Sequence, residues 1–482
     1  MAIEFDYKKS TPRQPGKLIL KCSDIDLFEN IREHFSVENT GARFARGRGR
    51  FAPRRKYVIT PTGQSELGLY WEIRQYLIKQ QINESVEISA ALAKALKVGL
   101  NIEMVNDFNF TLRNYQEEVI RKALKLGTGT CVLGTGAGKT FTTAALIENC
   151  FRASKDMDTF KCLMLVPDLG LVTQTYEEFL NCGTTYKLTK WTGKDKPDLT
   201  ANVIIANIGI IQSRFEDNDW LRHIDILVVD ECHKISAGNK ISKIVQQIKT
   251  PNKFGFTGTL PEDQLNKWSI IGKLGPVIYE KSSAELRDED FLANVSVKIL
   301  NIGYGSAAPR FSGPNGYRDE LEYIYESESR NHIITQLVSK LQNNTLILVN
   351  HIAHGEILEE CFQKFKDKQV FFIRGEVDVE ERERIKKVME KDSNVVCVAI
   401  SAIFSTGVNI KNLHNIIFAA GGKSFIRTVQ SIGRGLRKHS AKEKLIIFDL
   451  CDQLKYGQAH CDKRKTIYDK EKIEYTEVQL SS

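Results

Sequence analysis

A glycine-rich stretch that ends in Lys-Thr is the strongest chemical feature of this 482-residue chain. It follows the apolar run 131–133 and consists of Gly134, Thr135, Gly136, Ala137, Gly138, Lys139 and Thr140. Glycines let backbone N–H groups approach a phosphate, the lysine reaches the β- and γ-phosphate oxygens, and the hydroxyl holds Mg²⁺. We therefore expect residues 134–140, the phosphate loop, to bind a nucleoside triphosphate, with Lys139 in catalysis and Thr140 as a metal ligand. The full pattern would have glycine in place of Leu133.

A pair of carboxylates follows a second apolar run, Ile226–Val229. Asp230 and Glu231 come directly after this run, so in a parallel sheet they would lie at its carboxyl edge with the phosphate loop. We expect Asp230 to bind Mg²⁺ and Glu231 to orient and deprotonate the attacking water. An acidic pair at a strand end is by itself more often a solvated turn, but the phosphate loop earlier in the same α/β unit favours catalysis.

Two further polar features fit a nucleotide site. Gln116 lies upstream of the phosphate loop and offers both a donor and an acceptor to an adenine edge, although it could simply open a helix. Arg434 and Arg437 are three residues apart, so they share a helix face and need anions. We expect them to act as arginine fingers on the γ-phosphate across an interdomain cleft. A solvated basic helix is the alternative; Gly433 argues against it, because glycine inside a helix costs about 1 kcal/mol and so indicates close packing.

The elements that must position these residues form two similar α/β units, each with short apolar runs that alternate with helical patterns. The predicted strands are 131–133, 162–166, 203–206, 226–229 and 254–256, then 345–349, 370–373, 395–400, 415–418 and 445–448. Between the units we expect a charged, irregular hinge in 282–300 and a surface loop in 303–316. The predicted domains are 1–106, a basic α+β domain, 107–283, and 284–482, which ends in a helical and strand extension that includes a charged helix around 461–468.

The net charge of +8 is concentrated near the N-terminus, because residues 1–100 hold 17 Lys and Arg against 11 Asp and Glu. The densest part, residues 41–57, carries three aromatics, no acid and these cations: Arg43, Arg46, Arg48, Arg50, Arg54, Arg55 and Lys56. Glycines and Pro53 exclude a regular helix, so we predict a strand-loop-strand. We expect this basic loop to bind duplex phosphates while Phe44, Phe51 or Tyr57 stacks on bases. The alternative is that the aromatics belong to a core and the arginines are solvated.

The bulk composition, 42% hydrophobic and 27% charged, is that of a globular protein. Apolar runs stay below the roughly 18 residues that a membrane span needs, and the first residues lack a secretory signal pattern. Ten cysteines without a C-x-x-C pair indicate reduced thiols. We therefore expect a cytoplasmic monomer, in the host cytoplasm if a phage encodes it, with no membrane partner.

Seven motifs follow one another in an order that resembles that of superfamily 2 helicases, over residues 107 to about 455. They lie at 112–116, 134–140, 166–174, 230–233, 257–259, 401–410 and 430–437. Many helicase phosphate loops also carry an apolar residue where Leu133 stands. The resemblance implies two tandem RecA-like motor domains, hydrolysis of ATP with Mg²⁺, and ATP contacts by Arg113, Gln116, Gly407 and Asn409. It implies coupling roles for His233, Thr257, Thr259 and Gln430, and nucleic-acid contacts by Pro167, Thr173, Gln174, Asn207, Asn350, His351, Arg374 and Thr406. Asn207 and Asn409 depart from the Thr and Asp that many members have there.

A closer resemblance, to the phage UvsW-type branch-migration helicases, extends over nearly the whole chain. It depends on the strings at 349–355, 374–378, 404–408 and 411–414. It implies fork regression, Holliday-junction branch migration and D-loop or R-loop unwinding in recombination, repair and replication. The expected partner is branched, duplex and single-stranded DNA, with recombination or replication proteins as further partners. Three alternatives stay open: an RNA or R-loop helicase acting on RNA–DNA hybrids, an ATP-switched remodelling platform without strand separation, and a restriction-type motor subunit.

Overall fold

The computed structural model describes most of the chain. The described residues are 2–11, 15–39, 42, 53–82, 85–100, 102–167, 169–193, 196–289, 291, 294–305, 308–374, 379–401, 412–419 and 444–481. By its internal contacts the chain divides into two compact units. One holds Met1–Leu133 with Gly138–Lys281, and the other holds Gly134–Ala137 with Ser282–Ser482.

The N-terminal part is a small α+β structure. Its strands are β1 (Ala2–Lys8), β2 (Lys17–Cys22), β3 (Ser36–Glu38), β4 (Arg55–Tyr57), β5 (Gln64–Ser65) and β6 (Ser85–Ile88). Four of them form a sheet in the order β5-β2-β1-β6, and β3 pairs with β4 in antiparallel register. Strands β3 and β4 flank the basic loop, in agreement with the two predicted strands, whereas residues 43–52 between them lie outside the described residues.

The helices of this part are α1 (Ile25–His34), α2 (Leu69–Lys79) and α3 (Ala90–Leu96). Helix α1 begins where it does because the Asp24 carboxylate accepts the Leu27 N–H at 3.0 Å, an ordinary N-cap. The apolar stripe of α1 and α2 covers one face of the sheet, where Phe5, Leu20 and Ile73 are buried in a common core. Trp268 and Ile271 belong to the same core although they lie far along the chain.

The first α/β fold is built on a seven-stranded sheet within the described residues. Its strands are β7 (Gly129–Leu133), β8 (Cys162–Val166), β9 (Leu188–Trp191), β10 (Val203–Asn207), β11 (Ile226–Asp230), β12 (Asn252–Thr257) and β13 (Val277–Lys281). The order is β13-β7-β12-β11-β8-β10-β9, and every pair is parallel. The helices are α4 (Asn114–Leu126), α5 (Lys139–Arg152), α6 (Leu169–Leu180), α7 (Ile208–Arg214), α8 (Lys240–Gln247) and α9 (Gln264–Leu274).

The second α/β fold repeats this plan. Its strands are β14 (Asn294–Gly303), β15 (Thr345–Val349), β16 (Gln369–Ile373), β17 (Val395–Ile400), β18 (Asn415–Phe418), β19 (Lys444–Asp452) and β20 (Tyr475–Ser481), in the order β16-β17-β15-β18-β19-β14-β20. The helices are α10 (Ser283–Asp288), α11 (Gly316–Glu326), α12 (Glu328–Lys340), α13 (Ile352–Phe362), α14 (Val379–Lys391) and α15 (Lys455–Lys470). Together the two parallel sheets confirm the predicted α/β fold class.

Apolar residues on both faces explain why the central strands are continuous hydrophobic runs. Along β15, Leu346 and Leu348 pack in one core, whereas Ile347 and Val349 pack in the core on the opposite face. Successive side chains of a strand point to opposite faces, so a strand covered on both sides has no polar alternation. The prediction of an irregular segment over 282–300 was wrong, because α10 and the first part of β14 occupy it.

The C-terminal charged segment forms helix α15, as predicted, and its Cys461 and Tyr468 are buried in the same core as Leu346 and Leu348 of β15. All ten cysteines lie within the described residues and are thiols. Among the helices that the structure describes, none combines the length and the apolar character needed to span a bilayer.

Candidate active site

The phosphate loop connects the end of β7 to the start of α5 (Lys139–Arg152). The Ala137 N–H donates to the Gly134 carbonyl at 3.1 Å, which closes a tight turn. Gly138 has a φ of +74°, and a Cβ there would lie 2.6 Å from Nε2 of Gln116. Only glycine suits this combination of left-handed backbone and close neighbour. The loop leads directly into the N-terminus of α5, and a helix N-terminus is a common phosphate-binding element.

Lys139 and Glu231 are brought together at the carboxyl edge of one parallel sheet, where β12 lies between β7 and β11. The Lys139 ammonium donates to the Leu133 carbonyl at 3.3 Å and lies 4.0 Å from Oε1 of Glu231. The side chains of Lys139 and Glu231 are 12% and 14% exposed, so their charges interact with little solvent screening. The two predicted catalytic residues are therefore in one partly buried site.

Glu231 adopts an unusual backbone conformation at the end of β11. Its φ is +48°, in the left-handed region that non-glycine residues seldom occupy. The Glu231 N–H donates to Oδ1 of Asp230 at 2.9 Å, and the Glu231 carbonyl accepts from Lys234 N–H at 3.0 Å. Such strain is typical of functional sites, where the surrounding structure holds a side chain in a required direction. No feature of the sequence indicated this conformation.

His233 connects Glu231 to the end of the adjacent strand β12. Its Nδ1 atom lies 2.9 Å from the Thr257 hydroxyl oxygen and 3.2 Å from Oε2 of Glu231. The Thr257 hydroxyl donates to the Thr259 carbonyl at 2.9 Å. The structure thus brings together three of the four residues for which a coupling role was expected, His233, Thr257 and Thr259, and places His233 beside Glu231, the predicted base.

Gln116 is buried beside the phosphate loop and its amide group is held at both ends. Its Oε1 accepts the Arg113 N–H at 2.9 Å, and its Nε2 donates to the Gly138 carbonyl at 3.4 Å. Arg113 in turn donates through Nη1 to the Tyr115 hydroxyl at 3.1 Å. The first bond is part of the N-terminus of α4 (Asn114–Leu126), so Gln116 both opens the helix and contacts the phosphate loop.

Cys232 lies between Glu231 and His233 but is not a nucleophile. Burial, with the nearby carboxylates of Glu231 and Asp230, raises its pKa well above the usual value for a thiol. Burial likewise raises the pKa of Cys131, in β7, to about 12. Since the thiolate is the reactive form, both side chains act as small apolar residues of the core.

The oxygen donors at the site fit Mg²⁺ bound together with a nucleotide. The Asp230 carboxylate and the Thr140 hydroxyl are the protein groups that could hold it. Mg²⁺ is commonly bound by one or two protein oxygens plus phosphates and water. Within the described residues, no group of three or more His, Cys, Asp or Glu side chains is arranged as a metal site by itself.

Residues expected to contact nucleic acid in the first α/β fold follow neighbouring strands. Pro167 comes after β8, and Asn207 ends the adjacent β10, where it pairs with Val166. Asn207 is 9% exposed and its Oδ1 accepts the Gly209 N–H at 2.8 Å, so it caps the following helix. Thr173 and Gln174 are half-buried on α6 (Leu169–Leu180). These roles stay predictions.

In the second α/β fold, Asn350 and His351 follow β15, and Arg374 follows β16. The exposed His351 ring has its centroid 4.8 Å from that of Tyr325. Arg374 pairs with Glu356, Nη1 to Oε1, at 2.9 Å. Strands β15 and β16 each pair with β17, so these residues lie at the carboxyl edge of one sheet. Their contacts with nucleic acid stay predictions.

The described part of the basic loop contains Arg54, Arg55 and Lys56. Arg54 and Lys56 are exposed, whereas Nε of Arg55 donates to the Ser36 hydroxyl at 2.8 Å and pairs with Glu33 at 3.0 Å. Tyr57 is 41% exposed and its hydroxyl donates to Oε2 of Glu33 at 3.0 Å. The remaining expected site residues lie outside the described residues and stay predictions: Arg43, Arg46, Arg48, Arg50, Thr406, Gly407, Asn409, Gln430, Arg434 and Arg437.

Comparison with known proteins matches both α/β folds to helicase-type families. Residues 109–262 match the family described as type III restriction enzyme, res subunit, and residues 329–439 match the helicase conserved C-terminal domain. The chain is 27% identical over 461 residues to the ATP-dependent DNA helicase uvsW of Enterobacteria phage T4, covering 90% of this chain and 88% of that protein.

Two further similarities are more distant. The DNA 3'-5' translocase XPB2 of Sulfurisphaera tokodaii is 24% identical, with 82% of this chain and 92% of that protein covered. The structure of the ATP-dependent type ISP restriction-modification enzyme LlaBIII bound to DNA has the same fold, with a TM-score of 0.56 and 15% identity, over 82% of this chain and 33% of that one. The phosphate loop, the Asp230–Glu231 pair and both family matches lead to one conclusion: the chain belongs to the superfamily 2 helicases and is an ATP-dependent helicase.

Proposed function

We propose that this helicase acts on branched DNA, where it drives fork regression, Holliday-junction branch migration and the unwinding of D-loops or R-loops in recombination, repair and replication. The observation that carries the proposal is the exposure of Arg54 and Lys56 on a small α+β structure that belongs to the same compact unit as Lys139 and Glu231. A cationic surface of this kind neutralises duplex phosphates without reading sequence. The 27% identity to uvsW, named an ATP-dependent DNA helicase, also supports DNA as the substrate.

In the proposed hydrolysis step, the phosphate loop and Lys139 hold the triphosphate, and the Glu231 carboxylate accepts a proton from the attacking water. The proximity of Lys139 to Glu231, 4.0 Å between Nζ and Oε1, supports this assignment because one site then holds the phosphate-binding cation and the base. Mg²⁺, held by Asp230 and Thr140, would neutralise charge on the phosphate oxygens. Gln116 contributes base selectivity beside Gly138, and Arg434 and Arg437 are proposed to act on the γ-phosphate.

Coupling between hydrolysis and movement is proposed to run through His233. Its contacts with Glu231 and Thr257 are supported by distances of 3.2 and 2.9 Å. A change in the charge near Glu231 then alters the hydrogen bond between His233 and Thr257 at the end of β12. That change shifts the segment that follows Thr257. We propose three functional parts, residues 1–106 for duplex binding and residues 107–283 and 284–482 as the two motor domains.

The proposed function is tested by measuring ATP turnover and product formation with single-stranded DNA, duplex DNA, four-way junctions and RNA–DNA hybrids. Selective processing of the junctions, absent from Lys139→Ala protein, is the expected result. Strict dependence on RNA would overturn the proposal in favour of an RNA helicase. Junction-stimulated hydrolysis with no change in strand pairing would favour a remodelling platform instead.

A further inference from the structure

We infer that Trp268 and Gly272 are positioning residues. They hold β3 and β4, the strands that flank the basic loop, to helix α9, which follows Thr259 along the chain. This inference rests on the proposed function of the basic loop in binding branched DNA. The contacts that carry it run from Thr257, through helix α9 (Gln264–Leu274), to the strands β3 and β4 that bracket the loop.

The first step is the connection between the ATP site and α9. Thr257 is the last residue of β12, and it contacts both His233 and the Thr259 carbonyl. The chain then reaches Asp263, whose carboxylate accepts the Asn266 N–H at 2.8 Å and so caps the start of α9. The helix therefore begins a short distance along the chain from the residue that contacts His233.

The second step is the burial of α9 in the N-terminal core. Trp268 is 4% exposed, and its ring centroid lies 5.3 Å from that of Phe35. Phe35 directly precedes β3, and its carbonyl accepts the Val58 N–H, just after β4, at 3.1 Å. Trp268 thus packs on the residue that closes the base of the strand-loop-strand.

The third step is a close approach of the backbone near Gly68 to the backbone of α9 at Gly272. The Gly68 N–H donates to the Gly272 carbonyl at 3.0 Å. A Cβ on Gly272 would lie 2.7 Å from the Cβ of Glu66, and one on Gly68 would lie 2.0 Å from the Ile271 carbonyl oxygen. Two glycines are therefore needed for the N-terminal structure and α9 to meet at this distance.

Polar contacts also connect the N-terminal structure to the first α/β fold, and we call this whole set of contacts the joint. Oε1 of Glu66 accepts from the Lys17 ammonium at 2.6 Å and from Nε2 of Gln246 at 2.7 Å. Lys17 lies in β2, whereas Gln246 lies on α8 (Lys240–Gln247). The Glu66 carboxylate therefore bonds both to the N-terminal structure and to the first α/β fold. Because Glu66 is only partly exposed, these charge-assisted bonds are stronger than an ordinary surface pair.

These contacts connect movement of the basic loop to the ATP site. The strands that flank the loop pack on α9, the helix that follows Thr257 along the chain, so a shift of α9 on hydrolysis moves the loop with it. DNA held by the loop would be displaced in step with the ATP site, and no independent motion of the N-terminal structure is needed.

Two variants test the joint. Gly272→Ala inserts a methyl group against Glu66, and Trp268→Leu removes the ring that contacts Phe35. Alanine inside a helix is normally more favourable than glycine by about 1 kcal/mol, so a defect in Gly272→Ala reflects crowding at the joint. The matched control is Gly305→Ala, since a Cβ on Gly305 meets no atom within 4 Å. Trp268→Phe keeps an aromatic ring against Phe35 and is the conservative variant, which we expect to couple hydrolysis to junction processing as the wild type does.

The readout is the ATP consumed per four-way junction processed, together with kcat for hydrolysis stimulated by single-stranded DNA. We expect kcat to stay within about twofold of wild type, because Trp268 and Gly272 lie outside the ATP site, while the ATP consumed per junction rises about tenfold, since a small misplacement of the DNA-holding loop lowers the yield of each hydrolysis step. Unchanged coupling in both Gly272→Ala and Trp268→Leu would overturn the inference alone. Wild-type protein that leaves junctions unprocessed would instead remove the proposed function, and the inference with it.

Discussion

The imidazole Nδ1 of His233 is hydrogen-bonded to the hydroxyl oxygen of Thr257, 2.9 Å away, and the neighbouring contacts require Nδ1 to be the donor. The direction follows from the hydroxyl itself, because its single hydrogen is directed to the Thr259 carbonyl at 2.9 Å, and the oxygen can then only accept from His233. The same N–H lies 3.2 Å from Oε2 of Glu231. Thr257 and Glu231 therefore share the N–H group of His233 as donor. A change in the charge or position of Glu231 alters the hydrogen bond to Thr257 at the end of β12.

Thr257→Val should weaken the stimulation of ATP hydrolysis by DNA about fivefold, because the hydrogen bond that it removes contributes about 1 kcal/mol. Valine keeps the shape of threonine but cannot accept from His233. The measurement is kcat for ATP hydrolysis with and without single-stranded DNA. Thr257→Ser, which keeps the hydroxyl, is the control, and full stimulation in the valine variant would contradict a coupling role for this contact.

Glu231→Gln should lower kcat for ATP hydrolysis by roughly 10²–10⁴, the usual contribution of a general base, while ATP still binds. The amide keeps the size of the carboxylate but cannot take a proton from water. Single-turnover hydrolysis and retention of labelled ATP on a filter measure the two properties. Glu118→Ala removes an exposed carboxylate paired with Lys122 at 2.8 Å and is the control. Normal turnover by Glu231→Gln would exclude Glu231 as the base.

The basic loop should determine the salt dependence of junction binding. Replacing Arg48, Arg50 and Arg54 with alanine is expected to weaken junction binding, and to lower the salt slope by about 0.9 for each phosphate contact removed. Arg55→Ala should change the slope less, because Glu33 already pairs with Arg55 at 3.0 Å. Junction affinity is measured at several salt concentrations, with the KM for ATP as the control. An unchanged slope in the triple variant would remove the loop from the DNA site.

The second α/β fold should lose stability in mild acid because of His354. This ring is buried, stacks on Tyr325 and contacts Oδ1 of Asn331 at 3.2 Å. Burial, then the positive charge of Arg330 and the nearby His351, holds the pKa of His354 well below its ordinary value of 6.5. The unfolded chain therefore binds a proton that the folded chain excludes, and the free energy of unfolding falls as pH drops below about 6.5.

His354→Gln should flatten this dependence. Thermal unfolding between about pH 5 and pH 7 measures it, with the wild type and the variant compared at each pH. His332→Gln is the control, since His332 is exposed on α12 (Glu328–Lys340). An equal loss of stability in the wild type and in His354→Gln would show that other groups cause the acid sensitivity.

The parts of the fold that the sequence predicts well are those dictated by local pattern. Strands β8, β15 and β17 have the predicted bounds because continuous apolar runs are typical of strands covered on both faces. Strand β1 and the first part of β14 were missed, although apolar residues alternate with Glu4, Asp6 and Lys298 there, a pattern typical of a strand with one polar side. The phosphate loop and the acidic pair could be predicted for a similar reason, since the residues that give each its chemistry are contiguous in the sequence.

Relationships between distant residues could not be predicted in the same way. Nothing in the local sequence of Trp268 indicates that it completes the core around Phe35, because that contact is fixed by how α9 packs on the N-terminal helices. The left-handed backbone of Glu231 likewise depends on tertiary packing. Propensity and periodicity describe neighbours along the chain, whereas these features depend on neighbours in space.

The most direct test of branched-DNA processing uses a four-way junction with homologous arms, in which branch migration releases two labelled duplexes. Wild-type protein and Glu231→Gln protein are compared with ATP, and the duplex products and the phosphate released are measured in the same reaction. The account predicts duplex products from the wild type in proportion to ATP hydrolysed, and none from Glu231→Gln. Rapid hydrolysis by the wild type with the junction left intact would contradict it.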